Sequence, residues 1–257
     1  MKIKRSEEYD VREEVFDKPT LMTIYHLINR GVIDRLYGVV KSGKEARVYR
    51  GVSRDGRELA VKIYLVASAE FRKGILPYIE GDPRFGRVKH GARSLIRAWA
   101  LKEFKNLKKA HEVGVRVPRP HIVENNVLVM EFIGSEGVSA PLLRETKLRD
   151  SDKVYRRLLE YVKILCQEAD LVHGDLSEFN VMLVDDEPVI FDMSQAVLSS
   201  HPMAPRFLYR DLVNLNEFFK HQGVEVQPVE AAYKLITGSK PEFALTGRRV
   251  FKLKRKY

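Results

Sequence analysis

HGDLSEFNVML (residues 173–183) and VIFDMSQAV (residues 189–197) decide the reading of this chain. Each sets acid or amide groups in a loop beside a short apolar run rich in strand formers. Asp175 and Asn180 stand five apart, and Asp192 follows 17 residues after Asp175, at the end of the second run. Two carboxylates and an amide are hard oxygen donors of the kind that meet a divalent cation and the phosphates it bridges. Singly, Asp192 could cap a strand end and Asp175 its own loop, so the pattern has to be judged with its neighbours.

Upstream, LAVKIY (59–64) matches the Val-Ala-Ile-Lys strand of protein kinases, which places Lys62 where it can pair with nucleotide phosphates. The spacing of Asp175 and Asn180 is that of a kinase catalytic loop, and Asp192 falls where the metal-binding aspartate belongs. A fifth element is then required, a carboxylate on the following helix to hold Lys62. Glu103 is preferred to Glu112, because it lies one turn from both Trp99 and Leu107, at the border of the apolar face. Met130, Glu131, Phe132 and Ile133 sit where a kinase hinge takes adenine through backbone groups. GVVKSGK (38–44) fits the start of a P-loop, but Glu45 stands where Ser or Thr is needed and a hairpin follows in place of a helix. Ser42, Gly43 and Lys44 are read instead as the tip of a loop covering phosphates between two strands.

On this pattern catalysis is positioning and charge neutralisation. Lys62, fixed by Glu103, contacts the α- and β-phosphates of ATP. Asn180 and Asp192 hold Mg²⁺, or Mn²⁺ in its place, and Asp175 orients or deprotonates the acceptor. His173 is assigned to packing and hydrogen bonding, since Asp175 already fills the role of base.

The remainder of the chain fits an ordinary globule. It has 257 residues, 44% hydrophobic and 31% charged, and its longest stretch without Asp, Glu, Lys or Arg is Met193 to Pro205, too short to span a bilayer. No apolar segment follows the basic N-terminus, so no secretory signal and a cytoplasmic location are expected. One cysteine, Cys166, excludes an internal disulfide and is expected to be a buried thiol. Of the net charge of +10, six basic groups with no acid lie in RRVFKLKRKY (248–257), a block suited to a phosphate polymer. The periodicities predict a helix over 17–31 with Leu21, Ile24, Tyr25 and Ile28 on its apolar face, then a hairpin turning at Arg54 to Arg57. A mobile, largely irregular insertion over 66–91 follows, then a helix over 92–113 and strands around Asn125-Asn126. Further helices are expected over 151–169, 207–221 and 228–237.

The residues resemble a known family, the RIO atypical protein kinases, and within it the Rio-one subfamily. The resemblance is carried by DKPTLMTIYHLINRGVI (17–33), SGKEARVY (42–49), HGDLSEFN (173–180) and FDMSQAV (191–197). Phe191, where Ile is more usual, is the one departure noted and should alter packing alone. The resemblance implies an α+β, bilobal protein-kinase-like fold, with a small β-rich N-lobe and a truncated helical C-lobe without activation segment. Residues 1–37 would be an N-terminal helical extension, 38–133 the N-lobe, 134–247 the C-lobe and 248–257 a basic tail. It also implies autophosphorylation and an ATPase switch in which phosphate passes to Asp192, acting on the pre-ribosomal small subunit, its rRNA and proteins. Two rivals stay open at this point, a small-molecule phosphotransferase of the aminoglycoside or choline kinase type, which shares His-Gly-Asp, and a catalytically silent nucleotide-binding RNA scaffold.

Overall fold

The computed structural model describes residues 16–65, 69–86, 88 and 91–241. The described chain opens on α1 (Lys18–Asn29), capped by Asp17, whose carboxylate accepts from the Thr20 N–H at 3.0 Å. Strands β1 (Arg35–Ser42), β2 (Ala46–Val52) and β3 (Glu58–Tyr64) follow, all antiparallel, and Gly56 at φ +82° makes the turn before β3. Next come α2 (Ala69–Ile79), α3 (Ala92–Glu112), β4 (Pro120–Glu124) and β5 (Val127–Glu131). The five strands form one sheet in the order β1-β2-β3-β5-β4.

Alternation along β3 gives the sheet two buried faces. Leu59, Val61 and Ile63 pack with Val127 and Val129 against Ile24 and Leu27 of α1. Ala60 and Tyr64 join Leu128 and Met130 on the opposite side, with Ile96, Trp99 and Leu107 of α3. Lys62 shares that second face, and so the strand reads as an almost unbroken apolar run. α1 covers one face of the sheet and shares the core of this half, and β1 begins at Arg35, two residues before the Tyr37 boundary expected for the helical extension.

The buried face of α1 also differs from the expected one. Thr20, Thr23, Ile24 and Leu27 are buried, while Tyr25 is 60% exposed. Two threonines can face inward because Asn126 and Asn125 donate to their hydroxyls at 2.9 and 3.0 Å. A second correction concerns 66–91, where α2 and a short 3-10 turn at Pro83–Phe85 replace much of the irregular stretch. Gly74 and Pro77 disguise the helix in the sequence, and burial of Ile75 and Tyr78 against the core overrides their poor propensity.

The second half holds the hairpin β6 (Gly134–Ser135) and β7 (Val138–Ser139), α4 (Ser151–Gln167), and the short strands β8 (Leu171–Val172), β9 (Val181–Val184), β10 (Glu187–Ile190) and β11 (Val197–Leu198). Helices α5 (Ala204–His221) and α6 (Val229–Thr237) close it. Leu158, Val162 and Leu165 of α4 are buried with Leu208, Leu212 and Phe219 of α5, whereas Leu159 is only partly covered. Cys166 is likewise half-buried rather than enclosed, because it lies at the edge of that core. Among the described residues no helix is long and apolar enough to cross a membrane. The basic stretch 248–257 lies outside the described residues.

Candidate active site

Two short pairings bring the key loops together. β9 pairs with β10 and β8 with β11, so residues 173–180 and 191–196 lie side by side. The Phe191 N–H donates to the Asn180 carbonyl at 3.0 Å and joins the two loops directly. Within the first, the Asn180 side-chain amide donates to the Asp175 carbonyl at 2.8 Å and to its carboxylate at 3.3 Å, which leaves the amide oxygen of Asn180 to meet a cation. His173 is enclosed beneath both loops. Its Nδ1 accepts from the Asp175 N–H and its Nε2 donates to the Phe191 carbonyl, each at 3.3 Å. Burial pushes this imidazole down to about 4, so it is a neutral bridge and not a base.

Lys62 reaches this centre from β3. Its ammonium lies 2.9 Å from Glu103 Oε1 and 2.8 Å from Asp192 Oδ1. Tyr64 donates its hydroxyl to the other Glu103 oxygen, and Ser194 Oγ donates to Asp192 at 2.8 Å. Glu112, the alternative, lies on the surface opposite Lys108 at 3.8 Å. Burial alone would lower Lys62, yet the Asp192 and Glu103 charges hold it above its ordinary value. Burial opposes the charge on Asp192 as well, but Lys62, Ser194 and the more distant Lys41 hold its carboxyl well below the usual range. Glu103, 1% exposed, is pushed up by burial that Lys62 only partly offsets. The Asp192 side chain is 38% exposed, so a ligand can reach it.

Ser42, Gly43 and Lys44 lie at the exposed β1–β2 connection, where the Gly43 N–H donates to the Ala46 carbonyl at 3.0 Å. Sequence reasoning missed their neighbours. Lys41 Nζ stands 4.9 Å over the Phe191 ring, and half-buried Glu45 is raised by burial and by the Asp192 charge. At the end of β5, Met130, Phe132 and Ile133 are buried, while the Glu131 carboxylate is engaged outward by Arg116 at 2.7 and 2.8 Å. Among the described residues the Ile133 N–H has no acceptor, which suits a hinge that receives a base. Asp211 of α5 was also missed. It accepts from the N–H groups of Gly174 and Leu176 at 2.7 and 2.9 Å, holding the catalytic loop from below, and burial pushes it up to about 7. Its signal was available, since Asp211 interrupts the apolar stripe of Leu208, Leu212 and Leu215.

A lysine–glutamate pair beneath a twisted sheet, with an Asp/Asn loop and a second Asp loop joined below it, defines a protein-kinase-like phosphotransferase. The family profile of the RIO domain matches residues 47–232, and the chain belongs to the RIO family of serine/threonine protein kinases. It is 40% identical over 242 residues to the RIO-type serine/threonine-protein kinase Rio1 of Haloferax volcanii, covering 94% of this chain and 82% of that one. Identity to Rio1 of Methanocaldococcus jannaschii is 42% over 233 residues, 90% of this chain and 79% of its relative. The fold is shared with the Rio2 kinase of Chaetomium thermophilum, solved as an ADP/Mg²⁺-phosphoaspartate complex, with a TM-score of 0.66 and 23% identity over 86% of this chain and 67% of that one. Relatives that are serine/threonine-protein kinases favour protein kinase activity over the small-molecule phosphotransferase and the silent scaffold.

Proposed function

We propose that the chain is a Mg²⁺-ATP-dependent RIO kinase and ATPase whose Asp192 receives phosphate, with autophosphorylation, acting in the cytoplasm on the maturing small ribosomal subunit. The observation that carries the reading is Asp192 itself, an accessible carboxylate kept ionised by Lys62 and Ser194. Mg²⁺ rarely has an all-protein cage and is bound by one or two side-chain oxygens together with phosphate and water. Asn180 and Asp192 fit that description, and among the described residues no group of three or more His, Cys, Asp or Glu could form a cage. Bound there, the ion would neutralise charge on the phosphate oxygens. Lys62, fixed by Glu103 and Tyr64, binds the α- and β-phosphates, and the backbone of Met130 to Ile133 takes the adenine. In the transfer step an Asp192 oxygen bonds to the γ-phosphorus while the bond from that phosphorus to the β–γ bridging oxygen breaks, and ADP departs with the electron pair. No proton moves, because Asp192 is already ionised. Asp175 then orients the water that attacks the acyl phosphate. The basic residues 248–257 suit a polyanionic partner such as rRNA.

Labelled ATP tests the reading. The chain should acquire an acid-stable label that hydroxylamine releases, because that nucleophile attacks an acyl phosphate and spares phosphoserine. Asp192→Asn should abolish it, and Asp175→Asn should slow its turnover by roughly 10² to 10⁴. Label that sits only on serine, or survives in Asp192→Asn, overturns the aspartyl-phosphate reading.

A further inference from the structure

Residues 78–84, running from the last turn of α2 towards α3, are linked to both loops of the site, through Arg210 to one and through Asn106 to the other. The Tyr78 ring stacks on Phe207 of α5 with centroids 4.9 Å apart and meets Trp99 of α3 edge-on at 6.4 Å. Its hydroxyl accepts from Arg210 Nη2 at 3.3 Å, and the same nitrogen donates to the carbonyl of Gly174, next to Asp175. Further along, the enclosed carboxylate of Asp82 grips the Arg84 guanidinium, with Nη2 at 2.6 Å and Nε at 2.9 Å. The remaining arm of that fork, Nη1, donates to Asn106 Oδ1 at 2.7 Å.

Asn106 is 0% exposed and spends its amide protons on the loop that carries Asp192. Its Nδ2 donates to the Met193 carbonyl at 2.8 Å and the Ala196 carbonyl at 2.9 Å. One turn earlier on α3, Lys102 Nζ donates to the Ser194 carbonyl at 2.7 Å. Three carbonyls just beyond Asp192 are therefore held by α3. A carboxamide can turn over, and turned over it would set its oxygen against two carbonyls. Arg84, a pure donor, accepts only one orientation, the one that keeps the amide protons on the loop.

We propose that Arg84 is a positioning residue for Asp192, acting through Asn106, so that the segment 78–84 sets how well the site holds its cation. The proposal deepens the function above and rests on its assignment of Asp192 as a Mg²⁺ ligand. Partners of this kind behind a ligand commonly govern metal affinity by about 10- to 100-fold. The test is a Mg²⁺ titration, read by ATP binding and by ATP hydrolysis, of the full chain carrying Arg84→Lys, which keeps a cation beside Asp82 but lacks the arm that reaches Asn106. The half-saturating Mg²⁺ concentration should rise about tenfold or more, while turnover at saturating Mg²⁺ stays within about threefold of the parent. The double variant Asp82→Asn/Arg84→Leu, which removes the Asp82–Arg84 pair as a unit, should give the same shift and serves if Arg84→Lys does not fold. A folded variant with a lower melting temperature and an unmoved half-saturation overturns the proposal, since Arg84 would then be only structural. Asp192→Asn, which lacks the phosphate acceptor, is titrated alongside by Mg²⁺-dependent binding of ATP. If it too leaves the Mg²⁺ response unmoved, the metal assignment itself fails; if it moves the response and the Arg84 variants do not, only the positioning role fails.

Discussion

Replacing Lys62 by methionine should destabilise the fold by about 3–5 kcal/mol near pH 8, and adding Glu103→Gln should recover most of that loss without recovering turnover. The ammonium lies 2.9 Å from Glu103 and 2.8 Å from Asp192, and Glu103 is 1% exposed. At an effective dielectric constant near 20, each such contact amounts to about 6 kcal/mol of gross attraction. Most of this offsets desolvation, so the penalty for removing Lys62 comes from a carboxylate left enclosed without a cation. Glu103 answers by taking up a proton, its value already being raised by burial. A carboxyl raised in the folded state gives stability that is present below its unfolded value and lost as pH rises through the folded one. The deficit of Lys62→Met relative to the parent should therefore be small at pH 5 and full at pH 8. Glutamine at 103 carries no charge to strand, and it can still meet Tyr64. Turnover should fall by about 10² or more in both variants, the scale of a lost charge-stabilising group. Urea unfolding at both pH values, with ATP hydrolysis measured alongside, separates the two effects. Parent-like stability of Lys62→Met at pH 8 would refute the enclosed pair, and recovered turnover in the double variant would refute a chemical role for Lys62.

Three other outcomes are expected. His173, lowered to about 4 in the fold, contributes stability above its unfolded value near 6.5 that is lost as pH falls toward 4, up to about 3 kcal/mol; His173→Gln should flatten the urea midpoint between those pH values. Asp211→Ala leaves the Gly174 and Leu176 N–H groups without their acceptor, and should cost about 2–4 kcal/mol in unfolding experiments together with a fall in kcat. At Gly134, with φ +153°, a Cβ would lie 2.1 Å from the Val138 carbonyl oxygen; Gly134→Ala should therefore shift the adjoining hinge, seen as a rise in KM for ATP larger than the fall in kcat.

Local chemistry made much of this legible in the sequence. The Asp55-Gly56 and Asn125-Asn126 turns mark strand boundaries because few residues accept those backbone angles, and the stripe of Trp99 and Leu107 places Glu103 at the edge of a buried face. Alternation in LAVKIY then points Lys62 at the same side. What escaped depends on contacts between distant segments. Thr20 and Thr23 look like solvent-facing residues until two asparagines 102 and 106 positions away satisfy them. Gly74 and Pro77 argue against a helix that only packing on Trp99 and Phe207 secures. Lys41 and Glu45 acquire their importance from Asp192, far along the chain. Asp211 could have been found, because a lone acid within an apolar stripe demands a buried donor.

Asp192 adopts φ +60°, a region that side chains of L-residues enter reluctantly. Asn125, Glu136, Asp185 and Asp186 share the trait but turn hairpins, and Asp170 joins α4 to β8, whereas Asp192 follows the end of β10 in the loop that meets Lys62. In evolutionary terms the position has few neighbours. Asparagine keeps the backbone and one oxygen, glycine keeps the backbone alone, and valine, isoleucine or threonine would be penalised before their chemistry was ever tried. A lineage abandoning the carboxylate would pass through asparagine or glycine, losing the proposed transfer chemistry while remaining folded. Such descendants would be nucleotide-binding proteins in shape, with the history of the lost activity written in a single left-handed residue.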